Sequence, residues 1–418
     1  MSLKRLVSMA ASVGVVAVSL VAGAGTAGAV GSQGTLHPVD PVRILDTREG
    51  LGVPEERTGP LEAGATIELD VTGVGGVPET NVGAVVLNVT VADAADGGFI
   101  TVFPCGQPRP MASNLNFRGG KIVANQVTAK VGSDGFVCLF ASTRANLVAD
   151  LSGWYVRESG GDKGVFYEQL TPTRIVDTRQ AMGDRPAGKL GTEGRLEVKI
   201  PGSAAVPSGT VVRAVSMNVT AVGAEEDGFI TVFPCDRDRP WVSNVNFVGG
   251  AEPVANLVTA KASADGFVCF FASSATHLVV DVQGYFAPVS GTNTIFTPLS
   301  PVRVLDTREG LGLEGAKPAR AGAGTVIAVK VAGEYGVPVD AKAVLLNVTI
   351  TEAEGLGFVT AWPCGHPRPL ASFLNYTRGV DRANLTPVRI GEGGKVCLFV
   401  HEGTEVVADL NGYYCRPV

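Results

Sequence analysis

Ala84-Val85-Val86-Leu87-Asn88-Val89-Thr90-Val91 sets Val85, Leu87, Val89 and Val91 on one side of an extended chain, with Val86, Asn88 and Thr90 on the other. A period of two marks a β-strand, because successive side chains of an extended backbone point to opposite faces. The same phase returns at Val215, Met217 and Val219, and at Val344, Leu346, Val348 and Ile350. No stretch offers a capped amphipathic helix of about 12 residues or more. Further strands are expected over 43–47, 66–73, 98–103, 113–117, 124–131, 135–141 and 145–155, divided by Gly, Pro, Asp and Asn turns. About eight short strands suit an all-β sandwich, immunoglobulin-like or jelly-roll, whose strand order the sequence leaves open.

Working outward, the strand belongs to a unit present three times. Pro41-Val42-Arg43-Ile44-Leu45-Asp46-Thr47-Arg48 returns as Thr173-Arg174-Ile175-Val176-Asp177-Thr178-Arg179 and as Pro301-Val302-Arg303-Val304-Leu305-Asp306-Thr307-Arg308. Each copy also carries a Gly-Phe-x-Thr block, at Gly98, Gly228 and Gly357. Each closes on an Asp followed by Gly and two aromatics: Asp150 with Gly153-Trp154-Tyr155, Asp281 with Gly284-Tyr285-Phe286, Asp409 with Gly412-Tyr413-Tyr414. The spacing of 131 and 129 residues is that of a whole domain and too long for a solenoid turn or propeller blade. The reading is three tandem modules, 36–157, 165–288 and 295–418, joined by Arg157-Glu158-Ser159-Gly160-Gly161-Asp162 and Pro288-Val289-Ser290-Gly291-Thr292-Asn293. Such joins allow modest motion, or docking about a pseudo-threefold axis.

Residues 1–29 read as a secretory signal: Lys4 and Arg5, an uncharged stretch from Leu6 to Leu20, then Ala27-Gly28-Ala29 for cleavage. No second long apolar run follows, so a secreted protein without integral membrane contact is expected. Charged residues make up 18% and hydrophobic ones 45%, which excludes a disordered chain. A formal charge of −6 argues against a nucleic-acid partner. Cysteines agree with export. Cys105 and Cys138, Cys235 and Cys269, and Cys364 and Cys397 fall one pair per copy, 33, 34 and 33 residues apart, and read as disulfides. Their spacing does not suit a metal site. Cys415 is left over, either a thiol for an intermolecular disulfide and a dimer, or a buried one.

The recurring polar residues are the candidates for a site. Arg43, Asp46 and Arg48 recur as Arg174, Asp177, Arg179 and as Arg303, Asp306, Arg308. On a regular strand Arg43 and Arg48 would face opposite ways, so at most one should share the face of Asp46. The group reads as an internal arginine–carboxylate clamp, with Asp150, Asp281 or Asp409 as its second acid, or as a ligand or partner site. Asparagines recur at Asn88, Asn116 and Asn125, at Asn218, Asn246 and Asn256, and at Asn347, Asn375 and Asn384. Asn is disfavoured inside strands, so these read as a polar network or as a sugar-type hydrogen-bonding surface. The Asn-Val-Thr triplets also match the glycosylation sequon. Acidic runs at 93–96, 225–227 and 352–354 read as solvated hairpin loops or loose calcium sites, without the spacing of a dedicated calcium loop. Arg109-Pro110, Arg239-Pro240 and Arg368-Pro369 read as turn residues. No histidine recurs, and no nucleophile elbow, HExxH or phosphate loop appears. Asp46 with Asp150 could form a glycosidase pair in principle.

The Val-Arg-x-Leu-Asp-Thr-Arg, Leu-Asn-Val-Thr, Gly-Phe-x-Thr-x-x-Pro and Asp-x-x-Gly-Tyr blocks resemble repeat modules of secreted actinobacterial proteins, over residues 36 to 416. Val176 replaces Leu45's counterpart in the second copy, and Cys415 is additional. The resemblance implies export and a β-module and supplies no substrate; separately, no cofactor is expected beyond the loose calcium sites. The overall expectation is a non-enzymatic extracellular protein. It would act in adhesion, envelope or glycan binding, on a cell-wall or extracellular glycan or another surface protein. Three linked sites would add avidity. The alternatives are a purely structural scaffold and a secreted hydrolase.

Overall fold

The computed structural model describes residues 34–157, 164–182, 185–288 and 291–417. The expected signal segment 1–29 and parts of both joins lie outside the described residues. The first copy contains β1 (Leu36–Asp46), β2 (Thr66–Asp70), β3 (Val82–Ala92), β4 (Gly98–Pro104), β5 (Leu115–Phe117), β6 (Val123–Lys130), β7 (Phe136–Ala141) and β8 (Asn146–Val156). The second contains β9 (Phe166–Asp177), β10 (Gly194–Lys199), β11 (Ala214–Val222), β12 (Gly228–Pro234), β13 (Val245–Phe247), β14 (Val254–Lys261), β15 (Phe267–Ala272) and β16 (His277–Ala287). The third contains β17 (Ile295–Asp306), β18 (Val326–Lys330), β19 (Ala343–Thr351), β20 (Gly357–Pro363), β21 (Leu374–Tyr376), β22 (Arg382–Arg389), β23 (Lys395–Val400) and β24 (Glu405–Cys415). No α-helix occurs among the described residues.

These strands form six four-stranded sheets, two per copy: β1-β8-β3-β6 with β2-β7-β4-β5, and the same two orders in the other copies. First strand pairs with last. An immunoglobulin order, in which the first strand pairs with the second, is therefore excluded. Both sheets of a copy feed one apolar core, which in the first copy takes Val85, Leu87, Val89 and Val91 from β3, Ile67 and Leu69 from β2, and Val137 and Leu139 from β7. Each disulfide joins the end of one outer-sheet strand to the strand paired with it, as Cys105 after β4 is joined to Cys138 in β7.

The joins left motion or docking open, and docking is what forms: residues 31–418 make one compact unit, its six small sheets arranged as a propeller-like ring rather than as three separate sandwiches. The other face of β3, which carries Ala84, Val86, Asn88 and Thr90, is buried as completely as the first. A central cluster draws on all three copies, with Ala84, Val86 and Tyr155 meeting Ala214, Tyr167 and Phe286, and Ala343, Phe296 and Tyr414. In each Gly-aromatic pair the first ring (Trp154, Tyr285, Tyr413) enters its own copy's core and the second (Tyr155, Phe286, Tyr414) the central cluster. In the second and third copies the glycine is needed because a neighbouring ring covers it. A Cβ at Gly284 would sit 2.3 Å from the Tyr167 hydroxyl, and one at Gly412 would sit 2.4 Å from Phe296. The starts of the copies close the ring through backbone bonds: Leu36 N to Val165 O, Tyr167 N to Thr294 O, and Phe296 N to Gly34 O.

Candidate functional site

Arg43 stands opposite Asp150, and Asp150 opposite Asn88, so the three share the sheet face turned toward the next copy. Arg43 Nε donates to Asp150 Oδ1 at 2.9 Å, and its Nη1 donates to Asp46 Oδ2 at 3.2 Å. Arg48 holds the same Asp46 through Nε at 2.8 Å, Nη2 at 2.6 Å and its backbone N–H at 3.1 Å. Arg174 and Arg179 on Asp281 and Asp177, and Arg303 and Arg308 on Asp409 and Asp306, repeat the arrangement. Regular-strand geometry predicts only one arginine beside Asp46; both are there. A bulge between Arg43 and Leu45 resets the alternation, and the turn beginning at Thr47 folds Arg48 back over the carboxylate.

Burial works to raise the Asp46 carboxyl, but the hydrogen bonds and charge of Arg48, with Arg43 behind, outweigh it and hold it below its ordinary value. Asp177 and Asp306 are lowered likewise. At Asp150 burial wins over Arg43, and its carboxyl is raised, as are those of Asp281 and Asp409. A split carboxylate pair is the pattern of an acid–base couple. Here, however, Asp46 is 0% and Asp150 2% exposed, and the oxygens of both are held by arginine.

The asparagines join the copies. Asn88 Nδ2 donates to Ser243 O at 2.7 Å, Asn218 to Ser372 O at 2.9 Å and Asn347 to Ser113 O at 2.7 Å, so each copy binds the next in a cycle. A return bond runs to each: Asn256 Nδ2 to Asn88 Oδ1 at 2.9 Å, Asn384 to Asn218 at 3.1 Å and Asn125 to Asn347 at 3.0 Å. These amides are buried and engaged, so the Asn-Val-Thr sequons are closed in the folded chain.

Asn116, Asn246 and Asn375 do not join their own copy's arginine cluster. They lie on the outer-sheet edge strands β5, β13 and β21, and bond to Ser113, Ser243 and Ser372, whose carbonyls accept from the neighbouring copy. A groove results where copies meet. Between the second and third copies it has a volume of about 310 Å³ and is lined by Arg174, Arg179, Phe358, Arg368, Leu370 and Asn375, among others. The Arg179 side chain is 46% exposed there, and Asn375 Nδ2 is buried without a partner.

Two recurring features, which reach this groove's wall at Arg368 and Leu370, were not legible as a site. The arginines at Arg109, Arg239 and Arg368, read as turn residues, lie over Phe140, Phe271 and Phe399 at 3.8, 4.1 and 3.6 Å from the ring centres. Two residues further on, Met111, Trp241 and Leu370 stand 80%, 84% and 95% exposed. The recurrence of Arg-Pro before a large apolar residue is the signal that could have marked both.

The acidic loops have partners of their own. Asp93 accepts from Asn146, Glu225 pairs with Lys189, and Glu352 and Glu354 pair with Arg320. Glu197, Cys235 and Cys269 come close enough to hold a metal, but the two sulfurs are joined to each other. Cys415 is a buried free thiol in the third core, out of reach of a second chain while β24 stays packed. Among the described residues no helix is long and apolar enough to cross a membrane.

No known family profile and no curated protein matches the chain. Similar solved structures include the triple jelly roll fold and turret assembly of an archaeal virus (TM-score 0.19, 9% identity, covering 91% of this chain and 90% of that one). Another is the tandem CBM22 domain of Xyn10C from Paenibacillus barcinonensis (0.18, 12%, 60% and 99%). A third is Sulfolobus Turreted Icosahedral Virus (0.16, 9%, 86% and 85%).

Proposed function

We propose that this chain is an exported, non-enzymatic extracellular protein that takes a cell-wall or extracellular glycan in the grooves between its copies. The observation that carries the reading is the groove itself. The guanidinium groups of Arg174, Arg179 and Arg368 converge there beside the Asn375 amide nitrogen, which has no partner, and an exposed apolar tip. Buried carboxylates fix the first two, so little side-chain entropy is lost on binding. Hydroxyl-rich ligands suit amide and guanidinium donors, and an acidic sugar would suit them better. Equivalent residues at the other two junctions would provide avidity. The strand order of each sheet pair, 1-8-3-6 against 2-7-4-5, supports reading each copy as a jelly roll.

A second reading, a purely structural scaffold, is favoured by one observation: Asp46 and Asn88 are buried in contacts internal to the ring rather than lining open space. Retention on cell-wall fragments and on a glycan array separates the two. The binding reading expects the wild type to be retained and R179A/R368A, with unchanged circular dichroism, to be lost. No retention of the wild type leaves the scaffold.

A further inference from the structure

The inner-sheet edge strands β6, β14 and β22 meet at the ring axis. Gln126 of β6 bonds to Thr259 of β14, and Leu257 of β14 to Asn384 of β22. Where these strands begin, all three copies line one cavity of about 320 Å³, apart from the inter-copy groove. Arg118, Lys121, Arg378 and Arg382 contribute four positive charges to it, against two negative from Glu252 and Asp381. No ion pair joins any two of these six. Arg378 Nε is committed to Glu354 O at 2.7 Å, which fixes the side chain and leaves its terminal nitrogens.

Arg382 breaks the pseudo-threefold symmetry. It precedes Ala383-Asn384, where the other copies have Val123 before Ala124-Asn125 and Val254 before Ala255-Asn256. An arginine partly buried at a position where valine serves twice loses hydration that no carboxylate in contact returns. Burial pushes its pKa down, Glu252 counters only part of that, and the like charge of Arg118 pushes it down further. A guanidinium left with free donors among three other cations is built to receive oxygen atoms carrying negative charge.

We propose that the axial cavity is a binding site for a small multivalent oxyanion, phosphate or a compact polycarboxylate, with Arg382 as its principal donor. A volume of that size holds roughly ten waters at ~30 Å³ each, room for such an anion with part of its hydration.

The test is isothermal titration of the exported full-length protein with inorganic phosphate and with citrate, at constant ionic strength set by sodium chloride. One saturable site per chain is expected for at least one of them, weakened tenfold or more in R382V and unchanged in R144Q, a change at an exposed ion pair outside both the cavity and the groove. R382V installs the side chain the sister copies carry, and R382Q gives the same reading if the valine variant is unstable. The same anion should raise the wild-type melting temperature and leave that of R382V unmoved. No saturable binding, or equal binding by R382V, overturns the site. Loss in R179Q with retention in R382V also overturns it, while leaving the groove reading intact.

Discussion

The inner and outer sheets of each copy have the same number of strands and opposite surroundings. In β3 and β8 every residue is buried, because one face packs on the copy's own core and the other on the neighbouring copies. In β2 exposed and buried residues alternate strictly, because its far side meets solvent. Recurrence follows that difference. The inner sheet repeats Arg, Asp and Asn, whose donors and acceptors must complement the next copy, since an unpaired polar group there costs about 1–3 kcal/mol. The outer sheet repeats a disulfide and an arginine on a phenyl ring. The recurring polar residues are therefore ring-closing contacts first, and only the outer faces of the arginines are left for a ligand.

The largest test of this contrast is Asp177→Ala. It leaves Arg179 without its carboxylate and Arg174 with Asp281 alone, and should cost about 3–4 kcal/mol, the low side for a buried pair because both guanidiniums reach solvent. A urea midpoint close to wild type would show that the inner-sheet clamp is not structural. Next comes the outer sheet: Cys235→Ala with Cys269→Ala releases a loop of 34 residues and should cost roughly 3–4 kcal/mol in the chain-entropy account. Reducing agent opens all three disulfides of the wild type and should cost more than the single pair, at the outer sheets and without opening the ring.

Asn218→Ala should cost about 2 kcal/mol, because it leaves Ser372 O and one Asn384 bond unmet at the second junction. Hydrogen exchange should rise at β11, β22 and the 372–375 segment together, which lie in different copies. A rise confined to the second copy would mean that the copies are not coupled there. On the outer face, Arg239→Ala removes a cation held 4.1 Å from the Phe271 ring centre, and should cost only about 0.5–1 kcal/mol.

Strand positions were legible in the sequence because alternation and turn residues are local. The predicted 98–103, 124–131 and 135–141 fall within a residue of β4, β6 and β7. What lay beyond reach was the other face of β3. Val86, Asn88 and Thr90 look the same whether water or a second copy covers them, since burial by a neighbour leaves no mark on period two. The Arg43–Asp46–Arg48 geometry was missed for a different reason. A one-residue bulge shifts every later side chain to the opposite face, and nothing in Ile44-Leu45 announces it.

The smallest effect is the dependence on pH, where the three copies add but the two acids of each oppose. Asp150, Asp281 and Asp409 bind protons more readily folded than unfolded, because burial raises them. As pH falls from neutral through their raised values, the native state takes up protons first and stability should rise slightly. Asp46, Asp177 and Asp306 behave oppositely, being lowered in the native state mainly by the arginine that grips each one. Below the ordinary carboxylate value the unfolded chain protonates first, and stability should fall. Melting temperature against pH should therefore pass through a shallow maximum on the acid side of neutrality. In D281N one of the three rising contributions is gone, so the maximum should flatten while the acid fall remains. A steady fall from pH 7 downward in the wild type would mean that the second acid of each clamp is not held in a desolvated site, and that the inner sheet is wetter than its contacts imply.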